Sequence, residues 1–236
     1  MVMRPSLITL QANEQFIHLT LPETYQILSS AELNGGMTTT QHLLNLKVSD
    51  CPYDDPSLTH TPEESLLHFA KQLGLPSSTI GMMTAASMHS LRILSDTLEE
   101  TCITVALTCG LSNARRAGDT ADISALFPSH ASHGTINIFV MIDTPLHAKA
   151  MVEALSLVAE AKAATLQDLN IKSSISNGIA TGTGTDSTAI ACAIHQKNTP
   201  QIQYCGKHMK LGEMIAHLVS SALSSSIQRH VLGTPQ

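Results

Sequence analysis

Residues 136–142 form an almost wholly apolar run, INIFVMI, in which only Asn137 is polar. A run of this length and composition predicts a β-strand that is buried on both faces. Two long helices are predicted to pack on the sheet that contains it. The first spans residues 146–169 after a Thr144–Pro145 start signal, and the second spans residues 210–231 with an amphipathic pattern.

Shorter segments add strands and another helix. Thr61 and Glu64 have the spacing of a capping box, which predicts a helix that ends near Gly74. A further short helix is predicted over residues 77–83. The predicted extended segments are 6–21 (a hairpin), 25–31, 41–48, 87–95, 102–109 and 185–193, and residues 49–61 are predicted to form a loop.

The order of these elements favours an α+β fold. The strands cluster early and the helices are irregularly spaced, so strict alternation of strand and helix is not visible. We therefore predict that residues 1–236 form a single domain, with a mixed or antiparallel sheet packed by two long helices. A doubly wound α/β sheet is the alternative.

The charge and the cysteine content limit the kinds of binding partner and the cellular compartment that we expect. The formal net charge of −6 comes without a basic run, which argues against nucleic acid or an anionic membrane as a partner. The sequence has no window of about 18 apolar residues and no signal-peptide pattern. The five cysteines lack CxxC spacing, which favours free thiols in a reducing compartment. We therefore expect a cytoplasmic protein.

The segment ATGTGTDSTAIA, at residues 180–191, is the strongest candidate for a functional site. Its glycines let the backbone approach a ligand closely or take positive φ. Its threonines and Asp186 offer hydroxyls and a carboxylate on a short turn, which a packed core does not need. The segment therefore predicts a site rather than a packing element.

Three further glycine-bearing loops, at 29–36, 108–119 and 134–137, also flank predicted strands. Strand ends tend to converge on one edge of a sheet, where small loops can build a shared pocket. Four ordinary tight turns are the alternative interpretation. The shared Asn, Thr and Asp residues favour a pocket.

Two charged segments could contribute to that pocket. Glu160 and Lys162 are two residues apart on the long helix, so they do not share a face, and one of them can face the pocket. Lys207 precedes the last helix, where an ammonium is unfavourable to the helix dipole unless it pairs with Glu213 or a ligand anion.

Other kinds of site are poorly supported by the sequence. The twelve histidines show no HxH or HExxH spacing, and His130 and His133 lie in a loop without acidic partners, so we predict no metal site and no cofactor. There is no GxSxG nucleophile motif, and threonine is a weak nucleophile without an adjacent base. The Thr-Gly repeat is not a P-loop, although its backbone N–H groups could hold a phosphate.

Taken in chain order, these segments resemble the adenosylcobinamide amidohydrolase family of corrinoid salvage. The resemblance covers about residues 25–220. The matching segments are 28–31, 34–36, Asn45, 81–86, 108–119, 134–137, 160–162, 180–186, 206–207 and 211–213. Each is weak alone, and together they are specific.

The resemblance implies hydrolysis of the amide between the corrin side chain and the aminopropanol arm of adenosylcobinamide. The products would be adenosylcobyric acid and 1-amino-2-propanol or its phosphate. The partner would be a small-molecule corrinoid, and the oligomeric state stays open, a homo-oligomer included.

Amide hydrolysis needs a nucleophile, a base, an oxyanion stabiliser and an acid for the leaving amine. We assign the base to Asp186 or Glu160 and the oxyanion role to Lys207 or Asn34, so the predicted catalytic residues are Asp186, Glu160 and Lys207. The predicted substrate-binding residues are Ser29, Ser30, Asn34, Gly35, Gly36, Thr84, Asn113, Asp119, Asn137, Thr181, Thr183 and Thr185.

Two other functions stay open at this point. One is a corrinoid-binding protein without catalysis on the same scaffold. The other is a nucleotide or sugar-phosphate enzyme that uses the Thr-Gly loop to bind an anion.

Overall fold

A computed structural model describes residues 8–48, 61–121, 134–197 and 199–231. The strands are β1 Thr9–Ala12, β2 Phe16–Ser29, β3 Gly36–Lys47, β4 Ile80–Thr84, β5 Arg92–Leu98, β6 Thr101–Cys109, β7 Ala114–Arg115, β8 Ile136–Ile142, β9 Gly182–Thr183 and β10 Ser187–Ala193. The α-helices are α1 Pro62–Gln72, α2 Ala148–Asp168 and α3 Lys210–Ser226. Residues 49–60 of the loop predicted over 49–61 lie outside the described residues, as do His130 and His133.

Within the described residues, eight strands form one mixed sheet in the order β4-β3-β2-β10-β8-β6-β5, with β1 paired to β2. The β3–β4 and β8–β10 pairs are parallel, and the other neighbours are antiparallel. A doubly wound sheet would be mostly parallel. The predicted α+β fold with a mixed sheet is therefore confirmed.

The sheet folds back on itself in the middle of β2. This strand has 14 residues, and its pairing with β3 shifts register between Thr20 and Tyr25. Asn45 of β3 pairs near the start of β2, whereas β10 and β8 follow from the end of β2. Even so, Asn137 Nδ2 of β8 donates to Asn45 Oδ1 at 2.8 Å. The part of the sheet formed by the first half of β2, the second half of β3 and β4 must therefore lie over the face of β8.

This fold-back produces four layers. On one face of β8, Ile138, Val140 and Ile142 pack against α2 and α3, and on the other face Phe139 and Met141 pack against the folded-over half of the sheet. The outer face of that half packs against α1 through Phe16, Leu44, Leu46, Leu66 and Ala70. The run at 136–142 is apolar because β8 lies between a helical layer and a second layer of sheet.

A local sequence signal accounts for the start of α1. Thr61 caps α1 through the N–H of Glu64, whose carboxylate accepts from the N–H of Thr61, as the capping box predicts. The α-helical part of the last helix ends at Ser226, and Ile227–Val231 continue as a π-helical turn.

Within the described parts of the chain, no helix combines the length and apolar character that a membrane crossing requires.

The short helix predicted over residues 77–83 is wrong. Residues 80–84 form β4, which pairs in parallel with β3. Gly81 also exchanges backbone hydrogen bonds with Leu33, and a Cβ at Gly81 would lie 3.0 Å from the Leu33 Cβ. The pairing of β4 with the distant strand β3 therefore outweighs the helix start that the serines at 77 and 78 indicate. The strand predicted over 87–95 likewise begins only at Arg92, after a 3₁₀ turn at Met88–Ser90.

A histidine pair joins β2 and β3 away from the site described below. His18 Nε2 lies 3.1 Å from His42 Nδ1, and the two rings are stacked. Burial, followed by the charge of His42, lowers the pKa of His18 below its usual 6.5, and burial lowers the pKa of His42. Both rings are therefore harder to protonate in the folded protein than in the unfolded chain.

Acidification should consequently destabilise the fold. Because these two histidines bind protons first in the unfolded chain, their contribution to stability is fully present above pH 6.5 and is lost as the pH drops towards the lowered pKa values. Urea unfolding at about pH 8 and about pH 5.5 measures this loss. His42→Gln should reduce the loss, whereas His89→Gln, at an exposed histidine, should leave it as in the wild type. An equal loss in His42→Gln and the wild type would contradict this account.

Candidate active site

Three of the glycine-bearing loops meet at one edge of the sheet. The N–H of Gly110 donates to the carbonyl of Thr135 at 3.0 Å, and the hydroxyls of Thr135 and Thr185 lie 2.6 Å apart. The N–H of Ile136 donates to Asp186 Oδ1 at 2.9 Å. The ends of β6, β8 and β10 therefore bring the loops at 108–119, 134–137 and 180–186 together, as the glycine pattern predicted.

The Asp186 carboxylate lies at the centre of this meeting point, with its side chain only 10% exposed. Oδ1 accepts from the N–H of Ile136 at 2.9 Å and from the hydroxyl of Thr183 at 2.5 Å. Oδ2 accepts from the N–H of Thr183 at 2.9 Å and from Lys162 Nζ at 2.5 Å. Two backbone donors thus fix the carboxylate, and each oxygen also holds one side-chain proton donor.

Gly182 makes room for this ion pair. A Cβ at Gly182 would lie 2.4 Å from Asp186 Oδ2 and 3.1 Å from Lys162 Nζ. No side chain other than hydrogen therefore fits between the loop and the two charged groups as they stand.

Lys162 is the charged residue of α2 that reaches Asp186, and its side chain is 12% exposed. It lies four residues after Val158 and four before Leu166, which are both buried, so it shares their face of the helix. From the sequence, either Glu160 or Lys162 could face the pocket, and only Glu160 of the two is among the predicted catalytic residues. The helical spacing from Val158 is the signal that could have chosen between them.

Glu160 and Lys207 form an ion pair with each other, with side chains 54% and 68% exposed. The structure thus places these two predicted catalytic residues together on an exposed face, and it brings neither of them to the Asp186 carboxylate, whose four donors come from other residues.

Ser29 and Ser30 lie beside the Asp186 loop at the end of β2. Ser187 Oγ donates to the carbonyl of Ser30 at 3.2 Å, and the N–H of Thr188 donates to Ser30 Oγ at 3.1 Å. Ser29 is buried, and its hydroxyl accepts from the N–H of Ala31. These serines hold the β2 end against the first residues of β10.

Asn34, Gly35 and Gly36 shape the turn between β2 and β3. Asn34 has φ 57°, and its Nδ2 donates to the carbonyls of Ser77 and Thr79 at 2.7 Å each. A Cβ at Gly35 would lie 2.3 Å from the carbonyl oxygen of Ala31, and Gly36 has φ 91°. The Asn34 amide is therefore used to tie this turn to the segment before β4, not to the Asp186 cluster.

A buried amide network lies beneath the loops, between the two sheet layers. Asn45 Nδ2 donates to Thr108 Oγ1 at 2.9 Å, and Asn137 Nδ2 donates to Asn45 Oδ1 and to the carbonyl of Met83, each at 2.8 Å. Asn45 was part of the sequence resemblance but was not among our predicted site residues. Thr84, next to Met83, is buried and accepts from the N–H of Ala86.

Within the described part of the chain, two buried side-chain oxygens lack a hydrogen-bond partner: Asn113 Oδ1 and Asn137 Oδ1. Leaving such a group unpaired costs about 1–3 kcal/mol. Asn113 lies against the Thr-Gly loop, because a Cβ at Gly184 would be 3.1 Å from its Nδ2. Both atoms are acceptors, but Asn137 is fully buried between the sheet layers. Asn113 is half-buried in a loop, so its oxygen is the one that suits a ligand with N–H or O–H donors.

Asp119 and Thr181 belong to the outer part of the same loops. Asp119 Oδ2 accepts from Ser173 Oγ and from the N–H of Arg116, and hydrogen bonds from Ser173, Ser176 and that N–H hold the pKa of Asp119 below its usual value. Thr181 Oγ1 accepts from the N–H of Ala117. Both side chains therefore fix the loop conformation.

Two backbone N–H donors of the Thr-Gly repeat are already occupied by protein acceptors. The N–H of Thr181 donates to the carbonyl of Arg115, and the N–H of Thr183 donates to Asp186. These bonds disfavour an anion-binding cradle in this loop. Across residues 8–48, 61–121, 134–197 and 199–231, no three His, Cys, Asp or Glu side chains group in a way that could hold a metal ion.

Comparison with known proteins points to one family. The sequence matches the adenosylcobinamide amidohydrolase family over residues 3–234. It is 25% identical over 205 residues to the adenosylcobinamide amidohydrolase of Methanosarcina mazei, which covers 84% of this chain and 88% of the relative. It is 29% identical over 171 residues to an uncharacterized protein of Methanocaldococcus jannaschii, and this match spans 66% of each chain, slightly under two thirds.

Among solved structures, a crystallised protein of Pyrococcus horikoshii is similar with a TM-score of 0.42 and 11% identity, over 98% of this chain and 80% of that one. The family match covers nearly the whole sequence. The chain therefore belongs to the adenosylcobinamide amidohydrolase family.

Proposed function

We propose that this protein hydrolyses the amide that joins the corrin side chain to the aminopropanol arm of adenosylcobinamide. The products are adenosylcobyric acid and 1-amino-2-propanol, or its phosphate. The observation that carries the proposal is the Asp186 carboxylate, which holds the Thr183 hydroxyl and the Lys162 ammonium where three glycine loops meet. Membership of an amidohydrolase family supports the same reaction class.

The cluster supplies the groups that amide cleavage needs. Asp186 is an anionic acceptor that can take a proton from a nucleophile. Lys162 places a positive charge beside the same carboxylate. We propose that the substrate's amide oxygen lies near this ammonium, which stabilises the negative charge that develops on that oxygen during the reaction. We therefore assign to Lys162 the oxyanion-stabilising role that was predicted for Lys207 or Asn34, and we keep Asp186 as the base.

A corrinoid substrate suits the unpaired acceptor at Asn113 Oδ1. A corrin ring carries a fringe of carboxamides, and their N–H groups are hydrogen-bond donors. Asn113 Oδ1 is buried beside the Thr-Gly loop and has no partner among the described residues. We propose that it accepts from an amide N–H of the bound corrinoid, which would remove the cost of an unpaired carbonyl.

Two further expectations accompany this function. The cysteines described, Cys102, Cys109, Cys192 and Cys205, are free thiols, which supports a reducing compartment such as the cytoplasm. The family match over residues 3–234 supports a single domain of this family over residues 1–236.

The direct test is incubation of the purified protein with adenosylcobinamide, followed by chromatography and mass spectrometry. Adenosylcobyric acid and aminopropanol should appear in equal amounts. Tight corrinoid binding without any product would favour the non-catalytic carrier, and would overturn the proposal. Thermal stabilisation by phosphate compounds and not by corrinoids would favour a phosphate-binding enzyme instead.

Gly182→Ala should lower both activity and stability. The added methyl would lie 2.4 Å from Asp186 Oδ2 and 3.1 Å from Lys162 Nζ, so the carboxylate is pushed away from the backbone donors that fix it and the ion pair is displaced. We expect at least about a tenfold loss of kcat/KM, because small displacements at a reacting centre are costly, with a loss of about 1–3 kcal/mol in unfolding free energy.

Gly206→Ala is the matched control, because a Cβ there meets nothing within 4 Å. Steady-state kinetics and urea unfolding of both variants provide the comparison. Equal activity in the two variants would show that the room that Gly182 leaves for the Asp186–Lys162 ion pair does not matter for turnover.

A further inference from the structure

The three threonines of the Thr-Gly repeat have different partners. Thr181 Oγ1 accepts a backbone N–H. Thr185 Oγ1 lies 2.6 Å from Thr135 Oγ1 and donates to the carbonyl of Gly134 at 3.2 Å. Thr183 Oγ1 alone among the three donates to a carboxylate, Asp186 Oδ1, at 2.5 Å.

A hydroxyl that donates to a fixed carboxylate has the arrangement that activates a weak nucleophile. The backbone N–H of Thr183 binds the other oxygen of the same carboxylate, so the threonine is held to Asp186 at two points. Its strand β9 also pairs with β7, which fixes the position of the main chain. Thr183 is half-buried, and the next residue, Gly184, is exposed, so solvent reaches this part of the loop.

The neighbouring thiol is less suited to the role. Cys109 is 2% exposed, and burial, with the nearby Asp186 charge, raises the pKa of its thiol. A buried protonated thiol is not a nucleophile.

We propose that Thr183 is the nucleophile of the reaction and forms an ester with the corrin propionyl group; this inference rests on the proposed function. In the first step Thr183 Oγ1 attacks the amide carbon and its proton passes to Asp186. The C–N bond then breaks, and the leaving amine takes that proton and departs as aminopropanol. In the second step water attacks the ester, its proton returns through Asp186 to Thr183, and the corrinoid leaves as the acid.

Hydroxylamine distinguishes this path from direct attack by water. With enzyme in excess, aminopropanol release in a single turnover should be independent of hydroxylamine, because Thr183 attacks first. The corrinoid product should divide between acid and hydroxamate in proportion to hydroxylamine concentration. A single-turnover release rate that rises with hydroxylamine would overturn the inference, because the added nucleophile would then act in the first step.

Substitutions at Thr183 give an independent readout. Thr183→Val, which keeps the shape and removes the hydroxyl, should lower kcat at least about 10³-fold, whereas Thr183→Ser should stay within about tenfold of the wild type. Thr199→Val, in a distant loop, is the control for loss of a hydroxyl. Retention of more than a tenth of the activity in Thr183→Val would exclude Thr183 as nucleophile and leave the proposed function standing. Absence of turnover in the wild type would instead overturn both.

Discussion

Asp186→Asn is expected to lower turnover of adenosylcobinamide at least about 10³-fold. Asparagine has no charge and cannot take the proton of a nucleophile. It also presents an NH₂ group to one of two pairs of donors, either Ile136 N–H with the Thr183 hydroxyl or Thr183 N–H with Lys162. If the NH₂ group faces Thr183 N–H and Lys162, both of those hydrogen bonds are lost. If it faces Ile136 N–H and the Thr183 hydroxyl, the Ile136 bond is lost and the hydroxyl must accept rather than donate. In either orientation Lys162 loses its counter-charge.

Asp96→Asn serves as the control, since Asp96 lies on β5 and accepts only from the N–H of its neighbour Thr97 among the hydrogen bonds described. Steady-state kinetics of both variants should be measured together with urea unfolding, because Asp186→Asn is also expected to cost about 1–3 kcal/mol. Normal turnover in a folded Asp186→Asn protein would remove Asp186 from the chemistry.

Lys162→Met should lower kcat/KM by about 10²–10³-fold, as expected when a preorganised positive group beside the developing oxyanion is removed. Methionine keeps a long apolar side chain against the buried face of α2. Lys207→Met removes the ammonium of a side chain that is 68% exposed and pairs with Glu160. Its effect should be at least tenfold smaller, because exposed ion pairs contribute little.

Kinetics of the two lysine variants, measured side by side at one pH, give the comparison. A larger loss in Lys207→Met than in Lys162→Met would return the cationic role to Lys207 and place the reacting groups near Glu160.

Local signals were sufficient for several elements of the fold. The apolar run at 136–142 became β8, and the capping box at Thr61 starts α1. The fold-back of the sheet was not predictable in this way, because it depends on contacts between distant segments. Asn45 and Asn137, 92 residues apart, are one example. Both long helices consequently cover the same face of β8, and the folded-over strands cover the other.

The loops of the candidate site could be predicted from local sequence, but the partner of Asp186 could not. Glycines that permit close approach mark loops, and the loops at 108–119, 134–137 and 180–186 do meet at Asp186. The partner of Asp186 depends on the rotational phase of α2. Alanines at 161, 163 and 164 obscure that phase, since small apolar residues occur on several faces of the helix. Glu160 was therefore chosen where Lys162 makes the contact.

The structure of the Asp186→Asn variant with uncleaved adenosylcobinamide tests the central claim most directly. The amide carbon of the aminopropanol arm should lie within about 4 Å of Thr183 Oγ1, close to the separation of a reactive complex, with its carbonyl oxygen towards Lys162. A corrinoid bound with this amide against the Glu160–Lys207 face, away from the glycine loops, would contradict the account.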